Sequence, residues 1–168
     1  LAYAVSDKEN PGADVFALVC EPGVPARVDT IRKHRVSRFK GTIPLYDWGY
    51  IFWEPAKTSV AVIIFEKPQG GKVSELIESG KARIGEYDIV QRVLTPIATA
   101  ILHLSDAEIP HRAMRPDNLY FMDADMTDLV LGECVTTPPG YNQPPILEGI
   151  ERSMTPSYGR GLGDSTDD

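Results

Sequence analysis

The sequence predicts an α+β fold in two lobes, a small antiparallel sheet followed by a helical part. Three observations predict it. Short β-branched and aromatic runs recur through residues 1–66, the composition of strands rather than helices. The stretch Glu66-Lys67-Pro68-Gln69-Gly70-Gly71 then punctuates the chain, which marks a linker and separates a unit of 1–66 from one of 67–168. Beyond it, from about Gly85 to Ser105, apolar residues return with a helical period.

Taken in order, Leu1 to Val5 and Val15 to Cys20 read as antiparallel strands joined by Asp7-Lys8-Glu9-Asn10-Pro11-Gly12. No glycine-rich phosphate loop stands before them. Pro25 to Val36 predicts a short helix, with proline near its start and Val28, Ile31 and Val36 as its apolar positions. Its basic cluster Arg32-Lys33-His34-Arg35, with Arg38 and Lys40, reads as a solvated face. Ile43 to Trp53 and Ser59 to Phe65 form a hairpin around Glu54-Pro55-Ala56-Lys57, and Val60 to Phe65, apolar on both faces, belongs at the centre of its sheet.

After the linker, Lys72 to Ser79 is a short helix carrying Val73, Leu76 and Ile77. The main helix follows, with Val90, Val93, Leu94, Ile97, Ala98, Ile101 and Leu102 expected to be buried along one side. Pro96 within it predicts a kink or a freed carbonyl. The helix delivers a polar loop, His111-Arg112-Ala113-Met114-Arg115-Pro116-Asp117-Asn118, into the strand Leu119-Tyr120-Phe121, and a second strand, Leu129-Val130-Leu131, follows an acidic turn. Thr136 to Asp168, rich in proline and glycine, reads as an extended tail with one brief helix around Ile146 to Met154.

The 168 residues suffice for one sizeable core, and 42% hydrophobic with 24% charged residues is an ordinary globular composition. A net charge of −7 argues against nucleic acid, whose phosphates need a concentrated basic face. Cys20 and Cys134 lie far apart, without zinc or disulfide spacing, which fits a reducing, cytoplasmic compartment. The longest apolar run, Val60 to Phe65, is far short of the roughly 20 residues that span a bilayer. A start at Leu1 and an acidic end at Asp164 to Asp168 read as an excised piece, with any targeting segment outside it.

The loop at 111–118 resembles the catalytic loop of protein kinases, H-R-D-L-K-P-x-N before a strand pair. The order of elements is similar to that of a kinase from its second strand to the end of its activation segment. Phe16-Ala17-Leu18-Val19 looks like the V-A-I-K strand, which puts Val19 at the phosphate-pairing lysine. Ile63 to Pro68 resembles the fifth strand and the hinge whose backbone holds adenine, and so implies roles for Glu66 and Pro68. Leu131-Gly132-Glu133-Cys134-Val135 is similar to L-G-D-F-G, with Glu133 at the magnesium-binding aspartate; a shift of one residue puts Gly132 there.

In the family a lysine pairs phosphates, an aspartate accepts the substrate proton, and an aspartate and asparagine hold magnesium. Here the resemblance places Val19 and Ala113 at the lysine and the base, and a hydrocarbon does neither job. It implies a pseudokinase, a scaffold or allosteric module in signalling that binds a protein partner or the rest of its own chain. Alternatives stay open at the remaining positions. Asn118 is a loop tether or a metal ligand, Glu133 a metal ligand or a solvated carboxylate, Arg115 an anion contact or a surface ion pair, and His111 a structural hydrogen bonder or an acid–base group. The rival reading is an enzyme with a rearranged site for ATP and magnesium, performing phosphoryl or nucleotidyl transfer with Asn118 and Glu133 on the metal and Arg115 on phosphate. The main helix also carries apolar positions that further helices cover in the family, which predicts a homo-oligomer or exchange of the tail.

Overall fold

The computed structural model describes residues 1–23, 26–81 and 85–135. The tail 136–168, the start of the first helix at Pro25 and residues 82–84 lie outside the described residues. Four antiparallel strands, β1 (Ala2–Ser6), β2 (Asp14–Val19), β3 (Leu45–Trp53) and β4 (Thr58–Glu66), form one sheet in the order β1-β2-β4-β3. β4 is central, as its two-sided apolar sequence requires, and Val60, Ala61, Val62, Ile63 and Phe65 are buried. The hairpin turn is a 3-10 turn at Glu54–Ala56, closed by Lys57 in the left-handed region.

Strand alternation gives the sheet two distinct faces. Ala17, Val19, Val60 and Val62 cluster on one, with Trp53 against them. Cys20, Ala61, Ile63 and Phe65 cluster on the other, with Ile31 of the helix α1 (Val28–Ser37). Arg32, Lys33 and Arg35 of α1 are solvated as the charge pattern predicts, but His34 between them is 2% exposed and turned into the protein.

Past Glu66 come a two-residue strand β5 (Gly71–Lys72), the helix α2 (Val73–Glu78), a single turn α3 (Glu86–Asp88), a π-helical stretch Ile89–Leu94 and α4 (Thr95–Asp106). The π-helical turns sit directly before Pro96, which the sequence marks as a disturbance. Proline has no N–H and its ring crowds the carbonyl four residues back; widening to i→i+5 bonds absorbs both. Thr95 donates its N–H and its hydroxyl to the Val90 carbonyl.

The apolar stripe of this helix is not buried where expected. Ala100 and Leu104 are, whereas Val90, Leu94 and Leu102 are 49%, 53% and 65% exposed. Apolar residues occupy two adjacent faces of the helix, and among the described residues a neighbour covers only the face of Val93, Ile97, Ala100 and Ile101. That neighbour is the second sheet, β5-β6-β7, with β6 (Leu119–Phe121) and β7 (Leu129–Leu131) antiparallel. A parallel bridge of Thr42 to Leu131, with Ile43 N–H to Leu131 O at 2.7 Å, ties the connection before β3 to this second sheet. The cluster around Ile31 and Phe65 continues into Val130, Cys134 and Val135, so one core runs across the linker.

Candidate functional site

The loop after α4 is fixed by its own polar groups. His111 is 1% exposed. Its Nδ1 accepts the Ala113 N–H at 3.2 Å, which leaves the proton of a neutral ring on Nε2, 3.3 Å from the Gly132 carbonyl that accepts it. Arg112 takes φ 63, a left-handed conformation that reverses the chain here. A 3-10 turn at Pro116–Asn118 then starts β6, with proline supplying the helical φ of its first position.

Asn118 joins the two halves of the site. It is 3% exposed, and its Nδ2 donates to Ala113 O and to Glu133 O, each at 2.9 Å. Its own carbonyl accepts the Gly132 N–H at 2.7 Å. One amide hydrogen thus closes the loop on itself and the other ties it to the segment leaving β7. The packing is tight enough that a Cβ on Gly132 would lie 2.0 Å from Asn118 Oδ1 and 2.8 Å from its backbone oxygen. Only glycine fits there.

Arg27, the residue before α1, is the part of the site that sequence reasoning missed. Its N–H donates to Val135 O at 2.9 Å and its Nη1 to Cys134 O at 2.7 Å, with a longer contact to His111 O at 3.4 Å. These partners are over eighty residues away in sequence, beyond the reach of any spacing rule. The one local signal is an arginine where a helix ordinarily takes Ser, Thr, Asp or Asn as its cap. Hydrogen bonds to a charged donor are worth roughly 1.5–3 kcal/mol each, so Arg27→Ala is expected to destabilise by about 2 kcal/mol, read from urea unfolding.

The strand residue facing this network is Cys20 rather than Val19. Cys20 shares a cluster with Cys134 and Val135, and its thiol is pushed up to about 11 by burial first and by the Glu133 carboxylate second. Val19 lies in the cluster on the opposite face of the sheet. A step of one residue changes the face, so Val19 and Cys20 lie on opposite sides of the sheet. A thiol held protonated is not a nucleophile at neutral pH.

The other expected site residues are placed as follows. Ala113 is 7% exposed, with its N–H on His111 and its carbonyl on Asn118. Arg115 pairs through Nε with Asp117 at 2.9 Å. Glu133 accepts the Val135 N–H on Oε2 at 3.0 Å. In the hinge, Glu66 N–H goes to Pro44 O at 2.9 Å and Lys67 N–H to Asp14 O at 2.9 Å. Pro68 has no N–H. Gln69 N–H goes to Met122 O at 3.1 Å and Gly70 N–H to Phe121 O at 3.0 Å. Every hinge donor from 66 to 70 is therefore absent or already used.

The magnesium that the resemblance implies does not fit this donor set. Magnesium is held by carboxylates together with substrate phosphates in near-ideal octahedral geometry. Here Glu133 brings one carboxylate, already accepting a backbone N–H, and Asn118 brings one amide oxygen packed against Gly132. Among the described residues no group of three or more His, Cys, Asp or Glu is placed to hold a metal ion.

No family model and no curated protein matches the chain. Among solved structures, the crystal structure of Rad53 1–466 in complex with AMP-PNP is similar, with a TM-score of 0.53 and 19% identity over 71% of this chain and 30% of that one. The chain has an α+β, protein-kinase-like fold.

Proposed function

We propose that this chain is a pseudokinase, a kinase-like domain that binds a protein partner as a scaffold or allosteric module and does not transfer phosphate. The observation that carries the reading is Ala113. At the loop position where a kinase keeps its base stands a buried methyl group, with its backbone N–H and C=O both engaged inside the loop. A positioned base alone is worth about 10²- to 10⁴-fold in rate. Two further features support the reading. Cys20 offers no ammonium group opposite Glu133, and the hinge has no unused N–H for an adenine ring nitrogen. The framework, by contrast, is kept in full hydrogen-bond order by His111, Asn118 and Gly132. A fold maintained where chemistry is not suits recognition.

The test is a titration of the purified protein with ATP, with and without Mg²⁺, followed by thermal unfolding and by transfer of labelled γ-phosphate to a general acceptor. The expected result is no magnesium-dependent rise in melting temperature and no label transfer. Sustained turnover that Glu133→Gln abolishes would overturn the reading in favour of an enzyme with a rearranged nucleotide site.

A further inference from the structure

We propose that β3 is a dimerisation edge, joining its counterpart in a second copy of this chain into one continuous antiparallel sheet. This deepens the binding-module reading by naming a partner. β3 ends the sheet order and pairs only with β4 among the described residues. Its nine residues, Leu45 to Trp53, therefore present one open row of backbone donors and acceptors. Natural edges are blunted by lysine, proline, bulges or shortness. This one has a bulge only at its start, between Leu45 and Asp47, and no lysine or proline along its length. Instead it exposes Tyr50, Ile51 and Phe52 at 59%, 43% and 62%.

The edge is complementary to itself. A two-fold axis perpendicular to the sheet keeps each residue on its own face, so paired positions must share parity. A register centred on Tyr50 meets that condition. It sets Trp48 against Phe52, Gly49 against Ile51 and Asp47 against Trp53, all favourable or neutral cross-strand pairs with no like charges opposed. Asp47, the one charge in β3, is already paired with Arg35. Nothing lies within 4 Å of where a Gly49 Cβ would be, which leaves room for Ile51 of the second copy. The exposed face of α4 is the competing surface, yet it offers no backbone groups to satisfy and nothing that fixes a register. Since β1, the other edge, differs in sequence, pairing through β3 closes at two copies.

The experiment is multi-angle light scattering of the whole chain over a hundredfold concentration range, with three variants. The wild type is expected to approach a mass of two chains. Ile51→Lys, which places an edge lysine, is expected to stay monomeric with an unchanged circular dichroism spectrum, and Leu94→Lys on the helix face is expected to leave the dimer intact. Tyr50→Cys is expected to give a disulfide-linked dimer on air oxidation, because the register brings the two Cα atoms to about 4.5–5.5 Å, inside the range a disulfide bridges, and the native thiols are buried; this readout holds even if Ile51→Lys fails to fold. A monomer at every concentration, loss of the dimer with Leu94→Lys instead, or open-ended assemblies would each overturn the proposal. None of these outcomes bears on nucleotide turnover, so the two readings fail separately.

Discussion

Gly132→Ala is expected to destabilise this protein by at least about 3 kcal/mol, the range of overpacking plus the loss of buried hydrogen bonds. The added Cβ would meet Asn118 Oδ1 at 2.0 Å, Cγ at 2.7 Å and the backbone oxygen at 2.8 Å. Those atoms have no room to retreat, since Asn118 Nδ2 is pinned to Ala113 O and Glu133 O. Shifting the side chain releases both bonds in a buried site, and shifting the backbone breaks the 2.7 Å bond from Gly132 N–H. Asn118→Ala is expected to cost a similar amount, about 3 kcal/mol, because it strands two carbonyl acceptors. Together the two substitutions should cost less than their sum, since the clash with Oδ1 disappears with the side chain. Gly12→Ala is the control, its Cβ meeting nothing nearer than 3.9 Å, and should stay within about 0.5 kcal/mol of wild type. Urea midpoints of the wild type and the four variants decide the matter. If Asn118→Ala kept its stability and instead lost magnesium-dependent nucleotide affinity, Asn118 would be a metal ligand and the tether account would fail.

The sequence makes the strands, the central place of β4 and the loop at 111–118 legible for a common reason. Alternation, turn residues and proline act within a few positions, and β4 declares itself by being apolar on both faces. What fails to show in sequence is whatever depends on a neighbour. Val90, Leu94 and Leu102 read as core because a periodicity says that a helix has an apolar side, and not which of two apolar sides another element covers. Pro96 signals a disturbance, but the choice of π-helical turns over a kink depends on Thr95 finding the Val90 carbonyl. Cys20 and Val19 differ by one position, and only the pairing of β2 with β4 tells which of them faces Glu133. The hydrogen bonds of Asn118 show the same dependence, since its amide reaches Glu133 O only once the fold brings the segment after β7 beside it. The used hinge donors are a tertiary property too, because Pro44, Asp14 and Met122 supply the acceptors.

Stability should fall by about 3 kcal/mol as pH drops from 6.5 to 4, and His34 should account for it. The imidazole is 2% exposed, its Nδ1 has no hydrogen-bond partner, and its ring stands edge-on to Phe39 at 5.5 Å. Burial lowers its pKa from 6.5 to about 4, offset only in part by its own backbone carbonyl. A base whose folded pKa is depressed is held neutral by the fold. Above pH 6.5 both states are neutral and the full stability is present. Between 6.5 and about 4 the unfolded chain takes up a proton that the folded one refuses, at about 1.4 kcal/mol per pH unit. Below 4 both are protonated and the loss levels off. Arg38 and Glu66, the charged residues lining the cavity next to His34, carry opposite signs. Asp7, Asp14 and Asp123 are solvent-accessible and have lowered pKa values, so whatever they contribute is lost only below about pH 4. His34→Leu removes the titrating group while keeping an apolar side chain against Phe39. The difference in urea midpoint between wild type and variant should therefore shift steadily in the variant's favour from pH 6.5 down to 4 and be constant above 7. Parallel curves across that range would mean that His34 meets water or a partner, and the closed packing of α1 against the sheet would have to be given up with it.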